Sequence, residues 1–137
     1  MQQLKEIPKK VFLLLAVLAS SLCFATPALA NNHADTGWSA YLTGWDTADT
    51  PNRQKQDASS GYIMVQSTSR GRSVRAWMLG YGNENVGSAT VTVGPGQSSY
   101  VTNYAYEWYG RKQVHMRIQN LANVSGSASG LWSPDSV

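Results

Sequence analysis

From Trp38 onward the chain alternates apolar and polar positions with a period of two, and glycines interrupt the alternation at short intervals. Lys112 to Gln119 is the cleanest stretch: Val114, Met116 and Ile118 fall on one side, and Gln113, His115, Arg117 and Gln119 on the other. Successive strand side chains point to opposite faces, so this segment predicts a strand with one buried and one wetted face, His115 being on the wetted one. Tyr62 to Ser67 and Ser73 to Tyr81 flank Ser69-Arg70-Gly71-Arg72, while Ala89 to Val93 and Ser98 to Tyr106 flank Gly94-Pro95-Gly96-Gln97. Glycine supplies the positive φ of a tight reversal, so each pair reads as a hairpin. Trp38 to Trp45 and Ser127 to Trp132 complete a set of seven strands. The pattern predicts an all-β domain, a small antiparallel β-sandwich or jelly-roll of about seven strands. Asp46 to Ser60 is polar and contains Pro51, which predicts a long exposed loop.

A different pattern precedes the strands. Lys5, Lys9 and Lys10 lead into the apolar run Val11 to Phe24, and Pro27-Ala28-Leu29-Ala30 ends in a small-x-small site. Residues 1–30 therefore read as a cleaved secretory signal peptide. The run is too short for comfort as a membrane span, which takes roughly 20 residues. Cys23 is a poor lipidation site because Leu22 stands where a small residue is needed. Residues 31–37 are expected to be a flexible start and 38–137 a single domain, exported and without a stable membrane span after cleavage.

Removing that leader changes the chemistry of what is left. The net charge of +3 includes Lys5, Lys9, Lys10 and Glu6; the remainder, with eight Lys or Arg and seven Asp or Glu, carries +1. This is no electrostatic footprint for a nucleic acid. The one cysteine and both phenylalanines, Phe12 and Phe24, go as well. No disulfide or thiolate metal site is then available, and every remaining aromatic is a Tyr or Trp with a polar edge.

No pattern points to catalysis, a metal or a cofactor. His115 stands without a nucleophile or metal partner nearby in sequence, and is expected to be a solvent-facing side chain. Asp46, Asp49 and Asp57 lack the ligand alternation and closing glutamate of a calcium loop. Nothing in the spacing of Glu84 and Glu107 fixes the carboxyl separation that a glycosidase needs. Arg70, Arg72 and Arg75 gather positive charge near one turn, with Tyr62 and Trp77 expected close by; this suits an anionic envelope target or simply keeps the turn soluble. If Ser98 to Tyr106 is one strand, Tyr100, Tyr104 and Tyr106 share a face, and the weakness of the opposite set (Val101, Asn103, Ala105) predicts that the tyrosines pack in the core. Trp108 and Tyr109, before Gly110-Arg111, are the first choice for an exposed recognition pair, with Trp45 as a further loop aromatic.

The C-terminal third adds a resemblance. Val114-x-x-Arg117-x-x-Asn120, Val124-Ser125-Gly126 and Gly130-Leu131-Trp132-Ser133-Pro134-Asp135-Ser136, together with the leader and the Tyr-rich middle, resemble an uncharacterised family of small secreted Gram-positive proteins. More loosely the chain is similar to lactococcin-type bacteriocins, with no functional residue matched one for one. The resemblance implies an exported, Gram-positive setting. The expectation is a secreted, non-enzymatic protein that binds a cell-wall glycan, another envelope component or a secreted protein, with a bacteriocin-like antimicrobial as the alternative. The oligomeric state stays open.

Overall fold

The computed structural model describes residues 33–136, all within one compact unit, Asn31–Val137. The expected leader, Met1 to Ala30, lies outside the described residues. Nine strands run in order: β1 (Thr36–Leu42), β2 (Thr47–Asp49), β3 (Arg53–Gln54), β4 (Gly61–Thr68), β5 (Val74–Gly80), β6 (Val91–Val93), β7 (Ser98–Val101), β8 (Gln113–Asn120) and β9 (Gly126–Ser133). A single helical turn, α1 (Ala105–Tyr109), separates β7 from β8. All strand pairs are antiparallel and form two sheets: β1-β9-β4-β7, and β2-β8-β5-β6 with β3 also on β8. This is the expected small β-sandwich.

The period-two pattern sorts the faces as the physics requires. Ile63 and Val65 of β4, Val74, Ala76 and Met78 of β5, and Val114, Met116 and Ile118 of β8 are all buried. They meet Trp38, Leu42 and Trp132 between the sheets in a core of branched aliphatics, methionines and two indoles. Close packing of this kind is the main stabilising term of a sandwich. One point of contact admits no side chain. A Cβ on Gly130 would lie 1.8 Å from the Met64 carbonyl oxygen and 3.1 Å from the Trp38 ring. Glycine there lets β9 close on β4, and the Trp38 indole covers the gap while its Nε1–H donates to the Leu131 carbonyl at 3.3 Å.

Neither expected hairpin forms. β4 and β5 lie in different sheets, joined by a 3-10 turn at Ser69–Gly71 where Arg70 (φ 62°) and Gly71 (φ 65°) are both left-handed. β6 and β7 are likewise in opposite sheets. In place of the second hairpin, the Gly94–Gln97 turn bonds to β4, with Gly96 donating to the Val65 carbonyl at 2.7 Å and Val65 to that of Gln97 at 3.0 Å. A glycine turn reverses the chain, but a sandwich offers each reversal two landing places, in the same sheet or across the core. Here Tyr62 belongs to one sheet and Trp77 to the other, so the surface expected from that hairpin does not exist.

Asp46 to Ser60 is corrected as well. It carries β2 and β3 as two pieces of one edge against β8, interrupted at Thr50-Pro51-Asn52. Proline lacks the N–H a ladder needs. Thr50 bridges the break: its N–H donates to the Met116 carbonyl, and its hydroxyl accepts from the Met116 N–H, each at 2.9 Å. Beyond β3, Lys55 is wholly buried against Asp135, with Nζ 2.7 Å from Oδ1. Nζ also donates to the carbonyls of Pro134, at 2.8 Å, and Ser59. The Asp135 carboxylate accepts from the N–H groups of Gln56 at 2.9 Å and Asp57 at 3.4 Å. The segment after β3 is thus bolted to the chain after β9.

Removing one member of such a pair strands a charge out of water. Lys55→Met is expected to cost roughly 3–5 kcal/mol in denaturant unfolding, and adding Asp135→Leu to recover a large part of it. Equal losses in the single and double variants would contradict this account.

Candidate binding surface

The residues that follow β7 build an aromatic shelf. Asn103 is buried; its Nδ2 donates to the Val101 carbonyl at 3.0 Å and its Oδ1 accepts from the Ala105 N–H at 3.1 Å. These bonds end the strand and start α1, and buried Ala105 pins the turn to the core. Gly110, at φ 69°, stops it. Positions four apart on a helical turn share a face, so Tyr104 and Trp108 come together, centroids 5.6 Å apart and 17° from parallel. Tyr109 sets its edge on Trp108 at 6.4 Å and 79°. All three are exposed by about half.

The loop from β5 to β6 lies against this shelf. Val86, fully buried, accepts from the Tyr104 N–H at 2.7 Å. Gly87 has φ 63°, and a Cβ there would lie 2.8 Å from both the Trp108 Cη2 and Tyr104 Cδ2 atoms. Its missing side chain is the space in which the two rings sit. Lys112 places Nζ 4.5 Å from the Tyr109 ring centroid and pairs with Glu84 at 2.6 Å. The hydrogen bond from Lys112 lowers the Glu84 pKa, helped by backbone bonds, so the carboxylate stays ionised at the rim of the shelf.

This placement bears on several expectations. Trp108 and Tyr109 are exposed neighbours, on a helical turn that the strand pattern did not foresee. The expected core role of the tyrosines is corrected: Tyr100 and Tyr104 face solvent, while Val101, Asn103 and Ala105 are buried. The strand ends at Val101, so Tyr104 and Tyr106 never join its face. Alternation alone placed them there; the Asn103 bonds, which no period reports, turned them out. Trp45 is exposed in the β1–β2 connection, where its carbonyl accepts from Gln119 Nε2 at 2.5 Å. Among the described residues it makes no ring contact with the shelf. Arg70 is exposed on the crossover turn and Arg72 follows it, half-buried, whereas Arg75 lies within β5 between Gln119 and Thr92. Its Nε is buried without a hydrogen-bond partner.

His115 also departs from expectation, being buried on the outer face of the second sheet. Nδ1 pairs with Asn52 Oδ1 at 2.9 Å; Nε2 lies 3.5 Å from Asp49 Oδ2, outside hydrogen-bond geometry. Arg117 grips Asp49 with two bonds, Nε to Oδ1 at 2.7 Å and Nη2 to Oδ2 at 2.9 Å, and donates to Asn83 Oδ1 at 2.9 Å. A flanking strand and a bidentate pair cover a ring that the alternation alone places in water. Among the described residues no three His, Cys, Asp or Glu side chains converge as metal ligands.

Burial lowers the His115 pKa below 6.5, with Arg117 adding to the shift and Asp49 and Glu84 opposing it. The unfolded chain then binds the proton more tightly, so this contribution to stability is complete above pH 6.5 and is lost as pH falls below it. The Asp49 pKa is lowered below 3.8, chiefly by the Arg117 hydrogen bond, so its contribution is lost only in stronger acid. His115→Gln should flatten the first decline in melting temperature below pH 6.5 and leave the second; a curve parallel to wild type would refute this. At the shelf, Gly87→Ala is expected to displace the rings, costing about 1–3 kcal/mol and reducing the near-ultraviolet circular dichroism of the Tyr104–Trp108 pair. An unchanged spectrum would show that the glycine does not seat them.

Among the described residues no helix is long and apolar enough to cross a membrane. No curated protein and no solved structure matches the chain. The profile of one family, described as proteins of unknown function (DUF2712), matches residues 26–136. With residues 26–136, the greater part of its length, inside that match, the chain belongs to the DUF2712 family of proteins of unknown function.

Proposed function

We propose that this is a small protein exported by a Gram-positive cell that acts without enzymatic activity, by binding at the bacterial surface to a wall glycan, another envelope component or a secreted protein. The Tyr104–Trp108–Tyr109 shelf carries this reading. Three adjacent rings stay about half exposed, although burying them would stabilise a cysteine-free domain, and the turn that carries them is anchored by the Asn103 hydrogen bonds and buried Ala105. Rigid aromatics lose little conformational entropy on binding and offer flat apolar faces with polar edges, which is what sugar rings and protein hot spots both engage. The leader read from Met1 to Ala30 supports export. Arg70 and Arg72, at an exposed turn, support a second reading, a bacteriocin-like antimicrobial drawn to anionic envelope polymers.

Cosedimentation of the purified protein with isolated bacterial walls is the direct test. Saturable binding is expected, weakened about tenfold or more by Trp108→Ala with circular dichroism unchanged. Absence of binding to walls and to co-secreted proteins would defeat the proposal. Growth inhibition by the same preparation, lost when Arg70 and Arg72 become Gln, would select the antimicrobial reading instead.

A further inference from the structure

A second surface uses none of the shelf residues. His33, Asp35, Tyr62, Tyr100, Ser133 and Ser136 line an open groove of about 280 Å³. Its walls are held from behind by the two cations of the segment around β3. Arg53 Nη1 donates to the carbonyls of Ala34, at 2.6 Å, and Trp132, at 3.2 Å, which fixes the His33–Asp35 segment beside the end of β9. Lys55 anchors Asp135, and the neighbouring Ser136 N–H donates to Ser59 Oγ at 2.9 Å. The aromatic side of the groove is set by strand register. Tyr62 and Tyr100 are partners across β4 and β7, with centroids 5.9 Å apart and planes at 54°. Tyr62 is half-buried beneath, and Tyr100 is 63 % exposed.

The chemistry of these groups selects a ligand type. The charges of Asp135 and Asp35 both act on Arg53, and Asp135 is paired with Lys55, so two anions and two cations offset each other around the groove and leave little attraction for either a polyanion or a polycation. What the groove offers is an exposed aromatic face, hydroxyls and one carboxylate that accepts from two donors at once. An apolar solute would strand the polar groups, and a flat charged one would meet no net counter-charge. A sugar ring satisfies both demands, since its C–H face packs on an aromatic while its equatorial hydroxyls donate to a carboxylate. We propose that this groove binds one pyranose ring of a neutral glycan, with the ring on Tyr100 and its hydroxyls against Asp35 and Ser136. The choice of a glycan rests on the surface-binding reading above; the residues are independent of it.

Nuclear magnetic resonance titration of the purified protein with two soluble probes, a β-linked N-acetylglucosamine tetramer and a β-linked glucose tetramer, tests the assignment. Saturable shifts are expected at Tyr62, Tyr100 and Asp35 with at least one tetramer. Tyr100→Ala and Asp35→Asn should each weaken them about tenfold, and Trp108→Ala should leave them in place. Shifts confined to Tyr104–Tyr109 would overturn the groove while preserving the shelf. Shifts at the groove, alongside wall binding indifferent to Trp108→Ala, would keep the groove and remove the shelf. No shift at the groove with either tetramer overturns the proposal.

Discussion

Lys55 carries its ammonium to a position with no exposure to solvent, and everything that replaces water there comes from elsewhere in the chain. The carbonyls of Ser59 and Pro134 and the Asp135 carboxylate accept from Nζ, while backbone N–H groups of Gln56 and Asp57 complete the carboxylate. Burying two ions costs several kcal/mol each, and only such full satisfaction offsets it. In a domain whose described residues include no cysteine, this pair occupies the structural place of a cross-link. It joins the chain leaving an edge strand of one sheet to the chain leaving a central strand of the other. The pair therefore holds the sandwich closed at the end where Arg53 and Trp132 also meet, the guanidinium 5.7 Å from the buried ring.

With that end closed, the topology has a simple consequence. Almost every connection crosses from one sheet to the other; β5 to β6, and the interrupted edge β2 to β3, are the exceptions. Crossing turns put segments distant in sequence at the same rim. The shelf draws on the β5–β6 loop and on the turn between β7 and β8, and the groove gathers residues from before β1, from β4 and β7, and from the end of β9. Small irregular features decide the details: Asn103 bends the chain out of β7, Gly87 leaves room for two rings, and Gly130 lets β9 and β4 close. None of these has a periodic signature, which explains why a reading of alternation keeps the tyrosines in a strand face.

The distribution of aromatics separates structure from candidate function. Trp38 and Trp132 are core residues whose indoles cover a glycine and receive a guanidinium. Tyr41, Trp45, Tyr81, Tyr100, Tyr104, Trp108 and Tyr109 stay exposed. The fold spends its valines, isoleucines and methionines inside and leaves the amphipathic rings at the surface, where a polar edge costs nothing in water.

The chain by itself determined the fold class, the inward set on β8, and the exposure of Trp108 and Tyr109 before Gly110, because alternation and glycine placement are local properties that burial acts on directly. Only the tertiary structure decided that β4 and β5 part company, that a polar stretch carries a wholly buried lysine, and that His115 is covered rather than wet. Each of those outcomes depends on a partner far away in sequence: Asp135 for Lys55, β9 for β4, and Asn52 with Asp49 for His115. A local pattern says which way a side chain points; what it meets there is settled by register and by the charges that long-range folding brings within reach.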